Sequence, residues 1–408
     1  MKKNKDKVTY DIEEYRKKKK REKAVRRLIR VMAAVVLLLG AVGGVYFYQK
    51  YDLGELLYQS PNSQAASQET SVQTGSFPIS LDSVTPLELE PFQDGTLLLT
   101  DEELLVIHSD GSVPNQFVHS FTNPVLRIGH DQFLLYDRGG YGYRMENEKG
   151  SIASGRTTAS IQAGACGYNS HFALVAADPH YAASVTVYDK SGQELLTWYS
   201  LEQVVDAAFS QDDRYLAVAS VLFQNDGALV SRIHLLDIEK EKEVGSVDYK
   251  DALPVAVHVK SDGQIHLVTD SFLGVVSADL SEQRQIPYLQ QLRRYQFSDT
   301  ATLLINSGAS EVSSAVSLVS ANGDRTEQMV QSSVLDCSLQ EDGVCLLTGN
   351  GVLWYSSKLE QQGSHTVASE VFQVSRSGDS LYMMSPSQLN QVDLREHTGS
   401  SAEEEENS

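Results

Sequence analysis

The densest group of side chains that could do chemistry lies at residues 137–143, which read Asp-Arg-Gly-Gly-Tyr-Gly-Tyr. Arg138 has the fork geometry that binds a carboxylate or a phosphate, and Tyr141 and Tyr143 offer rings on which a ligand can stack. The glycines and Asp137 equally suit a tight connection between two strands, in which glycine adopts positive φ and the carboxylate bonds the turn. The composition favours the tight connection, and the same four side chains form a candidate recognition loop.

Other polar groups give weaker signals. His130-Asp131 and Asp178-Pro179-His180 resemble acid–base or metal pairs, but the ten histidines are scattered and show neither HxxxH nor HExxH spacing. Asp189, Ser191 and Glu194 resemble a calcium loop but lack its further acidic positions. The sequence has no GxSxG elbow and no GxxxxGK loop. We therefore expect no catalytic residue, no cofactor and no metal.

These side chains belong to a long region in which short apolar runs alternate with turns. Between residues 77 and 394, runs such as FALVAAD and SVTVYDKSGQELLTW are separated by turns such as HSDGS, SDGQI and EDGVC. The pattern recurs about every 36–48 residues, each time with a first strand, an apolar second strand, a third strand and a polar outer strand. Four antiparallel strands at this spacing indicate one blade of a β-propeller.

The number of blades follows from the number of repeats. Seven full units begin near residues 84, 121, 158, 200, 249, 289 and 332, and a shorter eighth unit covers about 370–394. A strand from the other end of the chain often completes the last blade of a propeller, and residues 77–84 have a suitable sequence, FPISLDSV. We predict an all-β fold, a β-propeller with eight blades. Seven blades, if the first and eighth units merge, or two β-sandwiches are the alternatives.

Upstream of the repeats, residues 31–49 read VMAAVVLLLGAVGGVYFYQ and contain no charge. A helix of this length spans roughly 28 Å, close to the hydrocarbon thickness of a bilayer, which predicts a single N-terminal transmembrane helix. A cleaved signal peptide is the alternative. Gly40 and Gly44 form a GxxxG pattern that favours packing of two membrane helices and hence a homodimer, although glycine is also simply tolerated in such helices.

Charge is divided unevenly along the chain. Residues 1–30 carry 14 Lys/Arg and 5 Asp/Glu, a net charge of +9, whereas the rest of the chain has a net charge of −29. Lys/Arg-rich segments beside a span stay cytoplasmic, so we expect the N-terminus inside the cell and the C-terminal part outside. The basic stretch Arg16–Arg30 should bind anionic lipid headgroups. The acidic outer part should repel nucleic acid.

The sequence thus predicts five segments: a basic cytoplasmic arm (1–30), a transmembrane helix (31–49), a flexible polar linker (50–76), an extracytoplasmic β-propeller (77–394) and a disordered acidic tail (395–408). Only three cysteines occur, as is typical of a bacterial exported protein that does not rely on disulfides. Cys337 and Cys345 flank a turn, so they either pair across a hairpin or remain buried free thiols.

With these features, the chain resembles the membrane-anchored propeller proteins of Firmicutes grouped as domain of unknown function 5711. The resemblance rests on the arm DIEEYRKKKKREKAVRRLIR, on LLYDRGGYGYRM at residues 134–145, and on the blade series, in which residues 204–220 also resemble a WD40-like blade. It implies a single-pass protein in the cell membrane of a Gram-positive bacterium, with an extracytoplasmic propeller. It implies no activity.

The expected function is a binding or scaffolding module of the bacterial cell envelope, with an envelope protein or polymer as its partner and no enzyme activity. One alternative is a transmembrane sensor, in which the helix with Gly40 and Gly44 passes ligand binding to the basic arm. The other is an envelope hydrolase or lyase with its site at the mouth of the propeller channel. That alternative requires perturbed carboxylates gathered on one face of the propeller.

Overall fold

The computed structural model describes residues 75–224, 227–310, 312–368 and 370–397. The predicted arm 1–30, the predicted span 31–49 and all but the last two residues of the predicted linker 50–76 lie outside these ranges, as does the acidic tail from residue 398. Homodimerisation through Gly40 and Gly44, lipid binding and the inside–outside orientation therefore stay predictions. Within the described ranges, no helix has the length and apolar character needed to cross a membrane.

The described residues form 32 strands and one short 3-10 helix. The first sixteen strands are β1 (Ile79–Ser80), β2 (Pro86–Phe92), β3 (Gly95–Thr100), β4 (Glu103–Ile107), β5 (Asn115–Val118), β6 (Pro124–Ile128), β7 (Gln132–Asp137), β8 (Gly142–Asn147), β9 (Gly150–Arg156), β10 (Ile161–Cys166), β11 (His171–Ala176), β12 (Ala183–Asp189), β13 (Glu194–Ser200), β14 (Gln203–Phe209), β15 (Tyr215–Phe223) and β16 (Leu229–Asp237).

The second half continues the same pattern and ends in the 3-10 helix Leu394–His397. Its strands are β17 (Lys242–Lys250), β18 (Pro254–Val259), β19 (Ile265–Thr269), β20 (Phe272–Val276), β21 (Gln283–Pro287), β22 (Leu292–Phe297), β23 (Ala301–Ser307), β24 (Ser314–Ser320), β25 (Arg325–Val330), β26 (Val334–Gln340), β27 (Gly343–Thr348), β28 (Gly351–Ser356), β29 (Gln361–His365), β30 (Gln373–Ser377), β31 (Ser380–Met384) and β32 (Gln388–Asp393).

The strands form eight antiparallel sheets of four, so the eight-bladed propeller is confirmed. Blades 1 to 7 each use four consecutive strands, the first of them being β2, β6, β10, β14, β18, β22 and β26. Blade 8 consists of β30, β31, β32 and β1, because Ile79 pairs with Leu389 and Ser80 with Gln388. The segment at residues 77–84 closes the ring as predicted, and the seven-bladed and two-sandwich alternatives are wrong.

Apolar side chains are buried between blades rather than within them. Eight hydrophobic clusters among the described residues occupy the eight interfaces between neighbouring blades. At one of them, Val185 and Val187 of blade 3 pack with Leu216 and Val218 of blade 4. The second strands, such as β3, are buried along their whole length, whereas outer strands such as β25 are mostly exposed. Burial on both faces explains the continuous apolar runs in the sequence.

Two faces of the propeller follow from the topology. First strands of neighbouring blades contact one another, as β10 does β14, and so line a central channel. The AB face carries the turns from first to second and from third to fourth strands. The BC face carries the turns from second to third strands and the connections between blades. Both ends of the described chain lie on the AB face, since Gly75 donates a hydrogen bond to Gly111 in a third-to-fourth-strand turn and Leu394 follows the third strand of blade 8.

The three cysteines are free thiols. In blade 7 the register pairs Ser338 with Cys345, so Cys337 and Cys345 point to opposite sides of the sheet. Cys337 packs in the cluster shared with blade 6, and Cys345 in the cluster shared with blade 8. A disulfide across this hairpin is therefore excluded by the alternation of side chains along a strand.

Candidate functional site

The candidate recognition loop is the turn between β7 and β8 on the BC face of blade 2. Asp137 Oδ1 accepts backbone hydrogen bonds from Thr122 (3.1 Å) and Asn123 (2.9 Å), which ties the turn to the incoming connection. Gly139 has a φ of +84°, and a Cβ on Gly140 would lie 2.0 Å from Asp137 Oδ2. The glycines and the aspartate thus build a tight connection, as the composition favours.

The remaining side chains of this loop point to different places. Arg138 and Tyr141 are exposed, and the guanidinium of Arg156 lies 5.7 Å from the centre of the Tyr141 ring. Tyr143 is buried, and its ring packs 5.4 Å from that of Phe172 in the core between blades 2 and 3. Its burial contradicts the assignment of Tyr143 as a ligand-stacking ring, whereas ligand binding by Arg138 and Tyr141 stays a prediction.

The other sequence candidates are parts of turns. His130 stacks on Tyr168 at 4.8 Å between ring centres. Asp178 accepts the backbone N–H groups of His180 and Tyr181, and Asp189 accepts that of Ser191, as side chains do in Asx-type turns. No group of three or more His, Cys, Asp or Glu side chains in the described part of the chain is arranged to hold a metal ion.

Exposed apolar side chains are concentrated on the BC face, a feature that the sequence alone does not reveal. Seventeen large apolar residues among those described expose more than a third of their surface. Fourteen of them lie in the turns and connections of the BC face or within two residues of it: Leu87, Val118, Tyr141, Tyr181, Tyr199, Leu201, Phe223, Leu253, Val255, Leu289, Val312, Met329, Leu335 and Phe372. The face is therefore suited to contact another apolar surface.

The most exposed members lie on blades 3 and 4. Leu201 is 81% exposed and Phe223 is 70% exposed. Gln203 pairs with Val221. Leu201 lies two residues before Gln203 and Phe223 two residues after Val221, so both lie at the BC-face end of the same strand pair. The rings of Tyr181 and Tyr199 contact one another at a tilt of 31° with their centres 4.9 Å apart, and Tyr199 lies two residues before Leu201. We call Tyr181, Tyr199, Leu201 and Phe223 the blade 3–4 patch.

The central channel contains the second candidate site. A cavity of about 650 Å³, the lower chamber, is lined by residues of all eight blades, most of them at the AB-face ends of the first strands or in the turns that follow. A cavity of about 330 Å³, the upper chamber, lies nearer the BC face. Glu90 and Tyr295 border both chambers and so mark the boundary between them.

Two aspartates of the channel link different blades through hydrogen bonds and ion pairs. Asp206 accepts the backbone N–H of Val257 in the next first strand (3.0 Å) and lies 3.9 Å from the guanidinium of Arg127. Asp336 does the same three blades further on: it accepts a backbone N–H of β30 (2.9 Å) and lies 3.3 Å from Arg294. Both aspartates directly follow a shift in strand register, which the sequence does not signal.

The carboxylates of two glutamates, Glu88 and Glu90, add further negative charge, and that of Glu88 also accepts a backbone hydrogen bond from Leu126 in the next first strand. Burial raises the pKa of Glu90 to about 8, and the carboxylates of Glu88 and Asp336 add to this effect. Burial also raises the pKa values of Glu88, Asp206 and Asp336. Perturbed carboxylates are the feature that the hydrolase alternative requires, but three of these four, Glu88, Asp206 and Asp336, accept backbone N–H groups of neighbouring first strands.

Blade 4 also contains a hydroxyl–imidazole–carboxylate series that the sequence does not predict. Ser220 Oγ lies 3.1 Å from His234 Nε2, and His234 Nδ1 lies 2.9 Å from Glu243 Oε1, the order of contacts found in a hydrolase triad. However, Ser220 is fully buried and donates to the Glu202 carboxylate (2.5 Å), which would repel a developing oxyanion. Arg232 pairs with Glu202. The group is therefore a structural network that joins blade 4 to its incoming connection.

A family model described as Family of unknown function (DUF5711) matches residues 63–394. This range includes nearly all of the described propeller and about four-fifths of the chain. The chain belongs to this family. The predicted resemblance to DUF5711 is thus confirmed over the loop and the blade series, while the arm lies outside the matched range. No curated protein matches the sequence.

Several solved structures share the fold of this DUF5711 protein at low identity. BamB from Moraxella catarrhalis is 11% identical with a TM-score of 0.52, covering 78% of this chain and 99% of that one. The C-terminal WD40 domain of Sif2 is 12% identical with a TM-score of 0.56, covering 79% and 98%. Apo AztD from Citrobacter koseri is 10% identical with a TM-score of 0.51, covering 74% and 96%. At these identities the likeness shows the propeller fold alone.

Proposed function

We propose that this DUF5711 protein is a membrane-anchored binding or scaffolding module of the bacterial cell envelope, and that its BC face binds a protein partner. The observation that carries the proposal is the concentration of exposed apolar side chains on that face. Aromatic and aliphatic side chains in a common patch are typical of the energetic centre of protein interfaces. The blade 3–4 patch has this composition.

The two faces differ in charge as well as in apolar content. In seven of the eight blades, the first-to-second-strand turn on the AB face carries a carboxylate, namely Asp94, Asp131, Asp212, Asp262, Asp299, Asp342 and Asp379. An acidic face should repel anionic lipid headgroups. Because both ends of the described chain also lie on the AB face, the BC face is free of the chain ends of the propeller.

The partner we propose is a different protein rather than a second copy. In a face-to-face homodimer through the BC faces, the two upstream segments would leave from opposite sides of the assembly. Both predicted anchors lie in one membrane, and the predicted polar linker 50–76 has a root-mean-square reach of only about 25–30 Å. A separate envelope protein with an apolar contact surface avoids this conflict.

Photo-crosslinking of the full-length protein in native membranes tests the proposal. A photoreactive residue at position 253, on the BC face, should capture one defined envelope protein, and Leu201→Ser or Phe223→Ser should abolish that capture. Leu195→Ser and Val244→Ser are matched controls, since both residues are apolar, exposed and nearer the AB face. Equal loss with the controls, or recovery of lipid and self-contacts only, would overturn the proposal.

A further inference from the structure

The lower chamber has an excess of acidic groups that the BC-face proposal does not use. Its walls carry four carboxylates and one guanidinium, from Glu90, Asp206, Asp299, Glu341 and Arg127. Asp206 pairs with the guanidinium of Arg127 and accepts a hydrogen bond from the backbone N–H of Val257. Glu341 accepts a hydrogen bond from the Thr300 hydroxyl. The chamber therefore keeps a net negative charge after its internal pairs are formed.

These pairs leave two carboxylates. Asp299 lies 3.9 Å from His258 Nε2, and the other is Glu90. It borders the cavity at the boundary of the two chambers and is otherwise surrounded by protein. Across the described residues, no hydrogen bond or ion pair reaches its carboxylate, and the nearest like charges are Glu88 and Asp336. A carboxylate placed among other carboxylates without an ion-pair partner is costly unless it takes up a proton or a cation joins it.

The nearby basic side chains are engaged with other groups. Arg127 lies 3.9 Å from Asp206, although its charge still opposes the rise in the pKa of Glu90, and Arg294 lies 3.3 Å from Asp336. Lys260 donates to the Ser298 and Ala301 carbonyls (2.8 and 2.5 Å) and lies against the Phe297 ring. His258 also stacks on Phe297, and burial lowers its pKa well below the ordinary value, so it is neutral at physiological pH. None of these four basic groups forms an ion pair with Glu90 in the part of the chain that the structure describes.

Aromatic rings complete the walls of the chamber. Tyr295, like Glu90, borders both chambers, and Tyr168 and Phe297 line the wall nearer the mouth. The faces of such rings attract organic cations. A bare metal ion gains little from them. The combination of an unpaired carboxylate with rings selects for an ammonium group on a carbon chain.

We propose that the lower chamber binds a primary alkylammonium group, with Glu90 as its counterion and the Tyr295 ring beside it. The group belongs either to a small free amine or to a lysine side chain of a polypeptide. An ammonium head is compact and donates three hydrogen bonds, which fits a narrow channel lined by carboxylates. The acidic turns around the mouth on the AB face raise the local concentration of cations. The site is separate from the BC face, and either proposal can fail without the other.

Isothermal titration of the full-length protein in detergent micelles tests the site. The probes are cadaverine, an acetylated tetralysine amide and, as the uncharged control, 1,5-pentanediol. We expect saturable binding of cadaverine, of the peptide or of both, and none of pentanediol. Cadaverine binding identifies a free amine as the ligand class, whereas binding of the peptide alone identifies a lysine side chain.

The pH dependence identifies Glu90 as the group responsible. The charged and titratable side chains that face it across the two chambers are Glu88, Asp206, Asp336, Arg127, Arg294 and Tyr295. Since Glu90 must lose its proton to bind an ammonium group, affinity should rise about tenfold between pH 7 and pH 9. Below neutral pH the binding should be weaker still.

Two variants decide between this site and general attraction to an acidic protein. Glu90→Gln should weaken binding at pH 9 at least about tenfold, because the counterion is lost while the shape is kept. Glu102→Gln, which removes an exposed carboxylate from the BC face, should leave binding unchanged. Absence of saturable binding for both probes, or equal binding by wild type and Glu90→Gln, would overturn the assignment.

Discussion

Replacing Glu90 with glutamine should make the folded protein more stable at neutral and alkaline pH. Burial beside Glu88 and Asp336 raises the pKa of the Glu90 carboxyl from its ordinary value of 4.5 to about 8. The folded state therefore holds a proton that the unfolded chain releases. The stability gained from that proton is complete below pH 4.5, declines as the pH rises, and is lost once the pH passes about 8.

The size of the effect follows from the same two pKa values. Each pKa unit corresponds to about 1.4 kcal/mol. Relative to an uncharged side chain of the same shape, wild-type Glu90 should lower the free energy of unfolding by about 1, 3 and 5 kcal/mol at pH 5.5, 7 and 9. Glutamine cannot ionise, so Glu90→Gln should recover these amounts.

Urea unfolding of both full-length proteins in detergent, followed by circular dichroism at the three pH values, measures the difference. The control is Glu102→Gln, whose side chain is exposed on the BC face and should change nothing. A difference between wild type and Glu90→Gln that does not grow with pH would refute the reasoning. So would a variant less stable than wild type at pH 9, because it would mean that the carboxylate already has a counterion within the protein.

Three further predictions concern the frame of the propeller. Ile79→Ala should lower the free energy of unfolding by about 2–4 kcal/mol, because Ile79 is fully buried in the strand that closes the ring. Ser80→Ala is the control, and equal thermal melting of the two variants would contradict this prediction. Ser220→Ala should lower the free energy of unfolding by about 1–3 kcal/mol, since it leaves the buried side chains of Glu202 and His234 with one hydrogen-bond partner fewer. An unchanged midpoint of chemical unfolding would contradict the structural role of this network. A reducing agent should not shift thermal unfolding, and thiol titration of the unfolded, unreduced chain should count three free cysteines; two thiols missing from that count would contradict the hairpin register.

The architecture was predictable because its signals are local. Each blade repeats an apolar second strand and a polar turn within about 40 residues, so spacing alone gives the number of blades. The closing strand was predictable for the same reason: residues 77–84 have the alternation of a strand, and the eighth unit lacks one. Fourth strands such as β25 could be assigned because they are mostly exposed and therefore polar.

The channel could not be predicted because its chemistry is assembled from distant positions. Glu90 and Asp336 are 246 residues apart in sequence and influence one another only through the closed ring. Asp206 points to the next blade because the strand register shifts just before it, and nothing in QVVDAAF signals that shift. The burial of Tyr143 could not be predicted, because the residues that cover its ring belong to the neighbouring blade and include Phe172.

The brevity of β1 has a mechanical consequence. Tension applied to the chain upstream of residue 75 would be transmitted to the ring through the single hydrogen bond from Gly75 to Gly111, a ladder only two residues long, and the burial of Ile79 and Leu81. Apart from that one bond to blade 1, the other blades, each built from consecutive strands, would bear load only after the ladder had separated. The ring should therefore open under force at the place where the upstream chain is attached. Tension from the N-terminal side would separate β1 from the rest of blade 8 before any other strand of the propeller.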